Sequence, residues 1–320
     1  MTVRPILVAL LVSVCAACPA HAAFPGRNGT LAFTDLSDRD SDRSCDGFTR
    51  SDCGARSHLF FAGPAGDGPK LMNEDLCLVS GCDVAAPSWS ATGRRLVVEK
   101  HVVAREDLIA ITDMHGILDS EFDRPPELAR ISQPAFSPDG RRLAVTGVRL
   151  VPSALGESTF TYVSAIYVTN RWGTLFRRVT SGPYDSAPAW SSSGRIAFER
   201  GPSHEDPDGN VFTVLPSGKR LRRVTRFGGS APSWSPHAGR IVFERRGDLF
   251  TVRPDGRGVR RLTRSGDDTD PAWSPNGRLI GFVRDDGIFT IRPNGRGARR
   301  IVAPKGRTSL SGPEWRPRPR

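Results

Sequence analysis

The stretch "DPAWSPNGRLIGF", residues 270–282, contains a complete β-hairpin in compressed form. Pro275, Asn276 and Gly277 take the second, third and fourth positions of a tight turn, where a fixed φ, a tolerant polar residue and glycine are each favoured. A short run ending in Trp273 precedes the turn, and an apolar run ending in Phe282 follows it. The same pattern returns as "APSWSATGRRLVV" from Ala86, "QPAFSPDGRRLAV" from Gln133, "APAWSSSGRIAF" from Ala187 and "APSWSPHAGRIVF" from Ala231. A shortened copy, "GPEW", begins at Gly312.

The aromatic positions of these copies, Trp89, Phe136, Trp190, Trp234, Trp273 and Trp315, are 47, 54, 44, 39 and 42 residues apart. A period of roughly 40 to 45 residues points to a β-propeller, in which each repeat supplies one four-stranded blade. A third β-rich run follows each hairpin, as "AIYVT" (165–169), "VFTV" (211–214), "LFTV" (249–252) and "IFTI" (288–291). A second turn such as "RPDGRG" leads to a fourth run carrying an arginine pair: "LFRRVT", "LRRVT", "VRRLT" and "ARRIV". Near the N-terminus, "GRNGTLAF" (26–33) resembles the part missing after Trp315. We therefore expect an all-β fold: a six-bladed β-propeller of four-stranded antiparallel blades, closed by pairing of the N- and C-terminal strands. Trp315 would lie on the inner strand of a blade completed by residues 30–33, 59–62 and 70–72. Closure of this kind leaves no unpaired edge.

These copies resemble the PD40 repeats of the TolB-type β-propellers, whose pattern is a Pro-x-Trp-Ser-Pro-Asp-Gly hairpin, an apolar strand, a turn and a Leu-Thr ending. The resemblance covers most of residues 24–316. It implies the propeller fold. Propellers of this type serve in periplasmic scaffold proteins, as the non-catalytic domain of prolyl oligopeptidase-like proteases, and in some polysaccharide lyases.

The first residues read as an export signal: Arg4, an apolar run from Ile6 to Ala17, and Ala20-His21-Ala22 as an A-x-A cleavage pattern. The expected organisation is a signal peptide over 1–22 and one propeller domain over 23–320. The apolar run is too short to span a bilayer core of about 30 Å. Export makes disulfides the default for Cys45, Cys53, Cys77 and Cys82, which fall in the loops 34–57 and 73–86. Three connectivities are open, and local pairing of Cys45 with Cys53 and Cys77 with Cys82 is favoured. The spacings do not suit a zinc site. A formal net charge of +11, carried mainly by arginine, would suggest nucleic acid inside a cell. In an exported protein, a polyanionic envelope or glycan surface fits better than nucleic acid, and an arginine-rich compositional bias is the first explanation of the charge.

Strand direction divides the ring into two faces. The first-to-second and third-to-fourth turns share one, here termed the turn face, where all tight turns are expected. The second-to-third connections and the links between blades share the loop face, with long segments such as 100–107, 147–163, 200–210 and 264–270. Variable loops on a rigid scaffold concentrate function. The candidate binding residues are the loop-face acids Asp185, Glu205, Asp206, Asp208, Asp267, Asp268 and Asp270, set against a basic rim of arginine pairs on the outermost strands. Asp38, Asp40 and Asp42 have the alternate spacing that opens a calcium loop. Arg43 then stands where glycine is needed and Thr49 where the bidentate glutamate belongs, so no cofactor is expected, calcium being the one open option. No G-x-S-x-G elbow occurs, and the histidines show no paired spacing. The residues thus favour a monomeric, non-catalytic scaffold that binds an envelope or extracellular protein. A carbohydrate-active or hydrolytic site at the channel mouth, and polyanion binding by the arginine rim, are the alternatives.

Overall fold

A computed structural model of the chain describes residues 23–37, 56–63, 68–72, 82–102, 107–153, 160–202, 209–304 and 308–318. Residues 1–22, expected to be an export signal, and Asp38, Asp40, Asp42, Cys45, Cys53, Cys77, Glu205, Asp206 and Asp208 lie outside these residues. Every described element is a β-strand, and the strands form six separate four-stranded antiparallel sheets. In the first sheet, β1 (Arg27–Ser37), β2 (Arg56–Ala62) and β3 (Lys70–Leu71) are joined by β24 (Thr308–Arg318) on the inner side. The second blade is β4 (Cys82–Trp89), β5 (Arg95–Val102), β6 (Leu108–Asp113) and β7 (Leu118–Phe122). The third comprises β8 (Arg130–Phe136), β9 (Arg142–Pro152), β10 (Phe160–Asn170) and β11 (Arg177–Arg178). In the fourth are β12 (Asp185–Trp190), β13 (Ile196–Arg200), β14 (Asn210–Val214) and β15 (Arg222–Arg223). The fifth has β16 (Ser230–Trp234), β17 (Ile241–Arg245), β18 (Asp248–Val252) and β19 (Arg260–Arg261). The sixth ends the series with β20 (Thr269–Trp273), β21 (Ile280–Arg284), β22 (Gly287–Ile291) and β23 (Arg299–Val302).

The inner strands β24, β4, β8, β12, β16 and β20 each contact the next, closing a ring. Closure rests on β1 and β24, which pair Leu31 with Trp315 and Asp35 with Leu310. Thr34 adds a 2.8 Å hydroxyl contact to Ser311 across the same seam.

Six apolar clusters fill the six gaps between blades, and each contains one aromatic of the repeat. Trp315, for example, packs with Leu31 and Phe33 of its own blade against Ala272 and Ile288 of the sixth. Gly281 makes room for it: a Cβ there would come within 3.0 Å of the indole nitrogen. Burying a tryptophan removes about 200 Å² from water, or about 5 kcal/mol of driving force. The serine after each aromatic secures the hairpin. The Oγ atoms of Ser90, Ser137, Ser191, Ser235 and Ser274 accept the N–H of Arg95, Arg142, Arg195, Arg240 and Leu279 at 2.9–3.0 Å. The threonine that ends blades three, four and five acts similarly: Thr180, Thr225 and Thr263 accept the N–H of Ile166, Val211 and Leu249 at 2.9 Å, beyond the end of the two-residue outer strand.

At the turn-face end of the channel, Ala23 and Phe24 are buried. Phe24 joins the cluster around Trp190, while Ala23 joins the cluster around Trp273 two interfaces away. Adjacent residues can reach both only by crossing near the ring axis, so this segment runs across the inner strands at that end.

Two expectations change. Tight turns also occur on the loop face, because Arg246-Gly247 and Asp285-Asp286 have φ values of 49°, 71°, 46° and 58°. Positive φ at both central residues is the type I′ geometry that matches strand twist. The segment 147–163 is not mainly irregular either: β9 runs on to Pro152 and β10 starts at Phe160, so blade three extends a ribbon beyond the ring.

Replacing Trp315 with alanine should lower the unfolding free energy by about 3–5 kcal/mol. Denaturant melts test this, and a loss below about 1 kcal/mol would show that β24 is not needed for closure.

Candidate functional site

The channel wall carries the same backbone irregularity in every blade. Ala86, Gln133, Ala187, Ala231, Asp270 and Gly312 have φ between 45° and 59°, each is followed by proline, and the inner strand slips register there. A proline donates nothing to a ladder, so the bulge turns the preceding N–H away from its own sheet. At four of the six bulges that N–H is met by an acceptor from the preceding blade. Glu99 accepts from Gln133 at 3.3 Å, and the Gln133 side chain accepts from Ala187 at 2.9 Å. Glu199 accepts from Ala231, and Asp270 from Gly312 at 3.1 Å.

The sequence compensates from blade to blade. By register, Thr146 and Val283 stand where Glu99 and Glu199 stand in other blades. In those two blades the acceptor comes instead from the bulge residue itself, Gln133 or Asp270. Asp270 is therefore a buried cap on the neighbouring blade. Glu199 bears the clearest electrostatic cost: its carboxyl is pushed up to about 7, first by burial, against the Ala231 hydrogen bond, and further by the nearby charge of Glu244.

At the loop face, Asp185 and Asp268 are fully buried and bind arginine side-on. Arg200 donates to the two oxygens of Asp185 at 2.5 and 2.9 Å, and Arg284 to those of Asp268 at 2.6 and 2.9 Å. Each guanidinium also lies over two phenylalanines, Phe198 and Phe212 or Phe282 and Phe289. The Arg284 guanidinium is held above its ordinary value, mainly by the Asp268 hydrogen bond. Blade five has Gly229 where blades four and six have this aspartate, and its Arg245 donates to the Phe227 carbonyl instead. Asp267 is exposed one residue from this clamp. The structure thus brings Asp267, Asp268 and Asp270 together at blade six and places Asp185 separately at blade four. Cys82 opens β4.

Between blades two and three, Arg130 bridges Glu99 at 2.7 Å and Asp107 at 2.8 Å, and His101 meets Asp107 at 2.5 Å. Among the described residues, no group of three His, Cys, Asp or Glu side chains is arranged to hold a metal ion.

The feature that sequence reading missed is the ribbon of blade three. Strands β9 and β10 have 11 residues each, against five in the matching strands of blades four to six, which adds about 20 Å of extended chain. Leu150 pairs with Tyr162 and Pro152 with Phe160, so the four share one face. Leu150 is 49 % exposed, Phe160 64 % and Tyr162 41 %. The alternation in "VRLVP" and "FTYV" carried the signal, but proline and the long connection masked it.

Substituting Asp268 with asparagine strands the Arg284 guanidinium and should cost about 3 kcal/mol, while Asp267→Asn should change stability by less than about 0.5 kcal/mol. Equal effects in urea melts would contradict the clamp. For Glu199, the raised value means that stability is fully present below the unfolded value of 4.5 and is lost as pH rises through about 7. Glu199→Gln keeps an acceptor for Ala231, so it should flatten that pH dependence and raise the melting temperature at pH 8 by about 2–4 °C. A wild-type melting curve already flat from pH 4.5 to 7 would refute the assignment.

Residues 72–318 match the family model described as the TolB beta propeller domain. No curated protein matches the chain significantly. Among solved structures, TolB from Acinetobacter baumannii is 18% identical, with a TM-score of 0.66 over 91% of this chain and 67% of that one. A putative TolB from Agrobacterium tumefaciens is 17% identical, with a TM-score of 0.59 over 91% of this chain and 100% of that one. A chain of a nidogen/laminin complex reaches a TM-score of 0.65 at 10% identity, over 91% of this chain and 100% of its own. Likeness at these identities concerns the fold, whereas the family match spans most of the sequence and falls on the hairpins, aromatics and arginine pairs derived above. The chain belongs to the TolB β-propeller family.

Proposed function

We propose that this protein is an exported, non-catalytic binding scaffold that engages a protein partner of the cell envelope or extracellular space through its loop face. The observation that carries this reading is the projecting β9–β10 ribbon, whose exposed face combines Leu150, Pro152, Phe160 and Tyr162. Contiguous apolar surface on a rigid, hydrogen-bonded element is what protein interfaces bury at their centre. The Asp185–Arg200 and Asp268–Arg284 clamps fix the edges of blades four and six, so Asp267 and Asp285 are presented beside the blade-six clamp as a polar surround. Among the described residues no helix is long and apolar enough to cross a membrane. In this reading residues 1–22 direct export and are removed, the four remaining cysteines staple the loops at 34–57 and 73–86, and the ring acts as a monomer without a cofactor.

The paired substitution Leu150→Ser with Phe160→Ser should leave the melting temperature unchanged and abolish retention of the partner that the wild type captures from envelope extract. The partner is identified by photo-crosslinking from position 160. Undiminished capture by the double variant, or crosslinks that form equally from the turn face, would overturn the proposal.

A further inference from the structure

The turn face holds charge and apolar surface that neither the fold nor the loop-face reading uses. Antiparallel pairing brings the first-to-second and third-to-fourth turns of all blades to this one end. The third-to-fourth turns of the last three blades lie in "LPSGKRLRR" (215–223), "RPDGRGVRR" (253–261) and "RPNGRGARR" (292–300). Each turn is tied to the blade before it. Gly256 and Gly295 sit against the carbonyls of Val224 and Leu262, where a Cβ would come within 2.9 Å. Arg222 and Arg260 donate forward to the carbonyls of Asp255 and Asn294 at 2.7 Å. A carbonyl orients a guanidinium without cancelling its charge.

Among the described residues no carboxylate pairs with Arg253, Arg257, Arg292 or Arg296; the Asp255 carboxylate is occupied by the Arg257 backbone N–H at 2.9 Å. The crowding of positive charge is evident at Arg195, whose guanidinium is held below its ordinary value by partial burial and then by Arg220 and Arg222. Large apolar side chains stand among these cations. Ile117, Trp172, Leu175, Leu221 and Val259 are all exposed, and all lie on third-to-fourth connections. Trp172 and Leu175 are 49 % and 69 % exposed, and the Arg171 guanidinium rests 4.0 Å from the Trp172 ring centroid.

We propose that the turn face docks on an anionic lipid bilayer, with its arginines at the level of the phosphates and Trp172, Leu175 and Leu221 inserted beneath them. The cations and the apolar tips come from the turns of several blades at one end of the ring rather than from one strand or one connection. A linear polyanion needs a track of cations and gains nothing from protruding apolar tips. A lipid surface takes both, because cations meet the headgroups while aromatic and aliphatic side chains enter the interfacial zone. The inference is independent of what the loop face binds.

Co-sedimentation of the folded protein with vesicles tests it. Binding is expected to vesicles of phosphatidylcholine mixed with phosphatidylglycerol, to weaken with salt, and to be absent with phosphatidylcholine alone. Charge reversal at Arg253, Arg257, Arg292 and Arg296, to Glu, should lower partitioning by about tenfold or more, while Arg264→Glu on the loop face should not. Trp172→Ala with Leu175→Ala should also weaken vesicle binding, with unchanged melting curves for every variant. Equal binding to neutral vesicles, or no effect of either set of substitutions, would overturn the proposal. So would retention on heparin that depends on the four arginines while vesicle binding ignores the Trp172 and Leu175 substitutions, because that pattern belongs to a linear polyanion.

Discussion

A four-stranded blade has two apolar faces and too little of its own to cover either. Every blade in this chain therefore depends on the aromatic of a neighbour, and the dependence runs round the ring without a break: the six clusters between blades contain Trp89, Phe136, Trp190, Trp234, Trp273 and Trp315 in turn. This is a cooperative arrangement of weakly self-sufficient parts, in contrast to a linear array whose end repeats need polar caps. Geometry follows from it. Because each interface must meet its neighbour at the same angle, the hairpin serine, the ending threonine and the turn glycine recur at fixed places in the repeat.

The channel wall adds a second layer of dependence. The proline that follows each bulge frees one N–H per blade, and a buried donor without an acceptor is costly. At four bulges the preceding blade supplies that acceptor from either of two positions, as Glu99 and Glu199 or as Gln133 and Asp270. Residues outside this network are free to differ from blade to blade. The blade-three ribbon, the exposed turn residues and the arginine-bearing turn face can vary without unsettling it, whereas Asp185, Asp268 and Asp270 cannot.

Blade number, strand order and the joining of β1 to β24 were legible in the sequence, because a period near 40 residues and complementary half-repeats admit few arrangements. The placement of the tryptophans followed from their fixed position beside each turn. What single repeats could not reveal was pairing between them. Asp268 and Arg284 look like ordinary surface charges until register brings them opposite each other, and Asp270 looks like a ligand until its neighbour's unpaired N–H is known. The ribbon was obscured for a different reason: its alternation is interrupted by Pro152, and its arms are separated by a polar connection of the kind that ordinarily marks a loop. The arginines of the third-to-fourth turns could be read from the sequence, but the exposed apolar side chains on the same connections needed three dimensions to appear together with them.

The seam between β1 and β24 also has a kinetic meaning. Thr34 and Ser311 touch across 277 positions, so the contact that completes the ring has nearly the largest sequence separation the chain permits. Contacts of such high order form slowly, since the entropy of closing the intervening chain is lost before the contact repays it. Until β24 arrives, β1 presents an open edge and the Trp315 site on blade six stands empty. A chain interrupted before residue 308 would hold five locally formed blades and a sixth that invites pairing with another copy, which makes the last eleven residues of described strand the protein's own guard against association during folding.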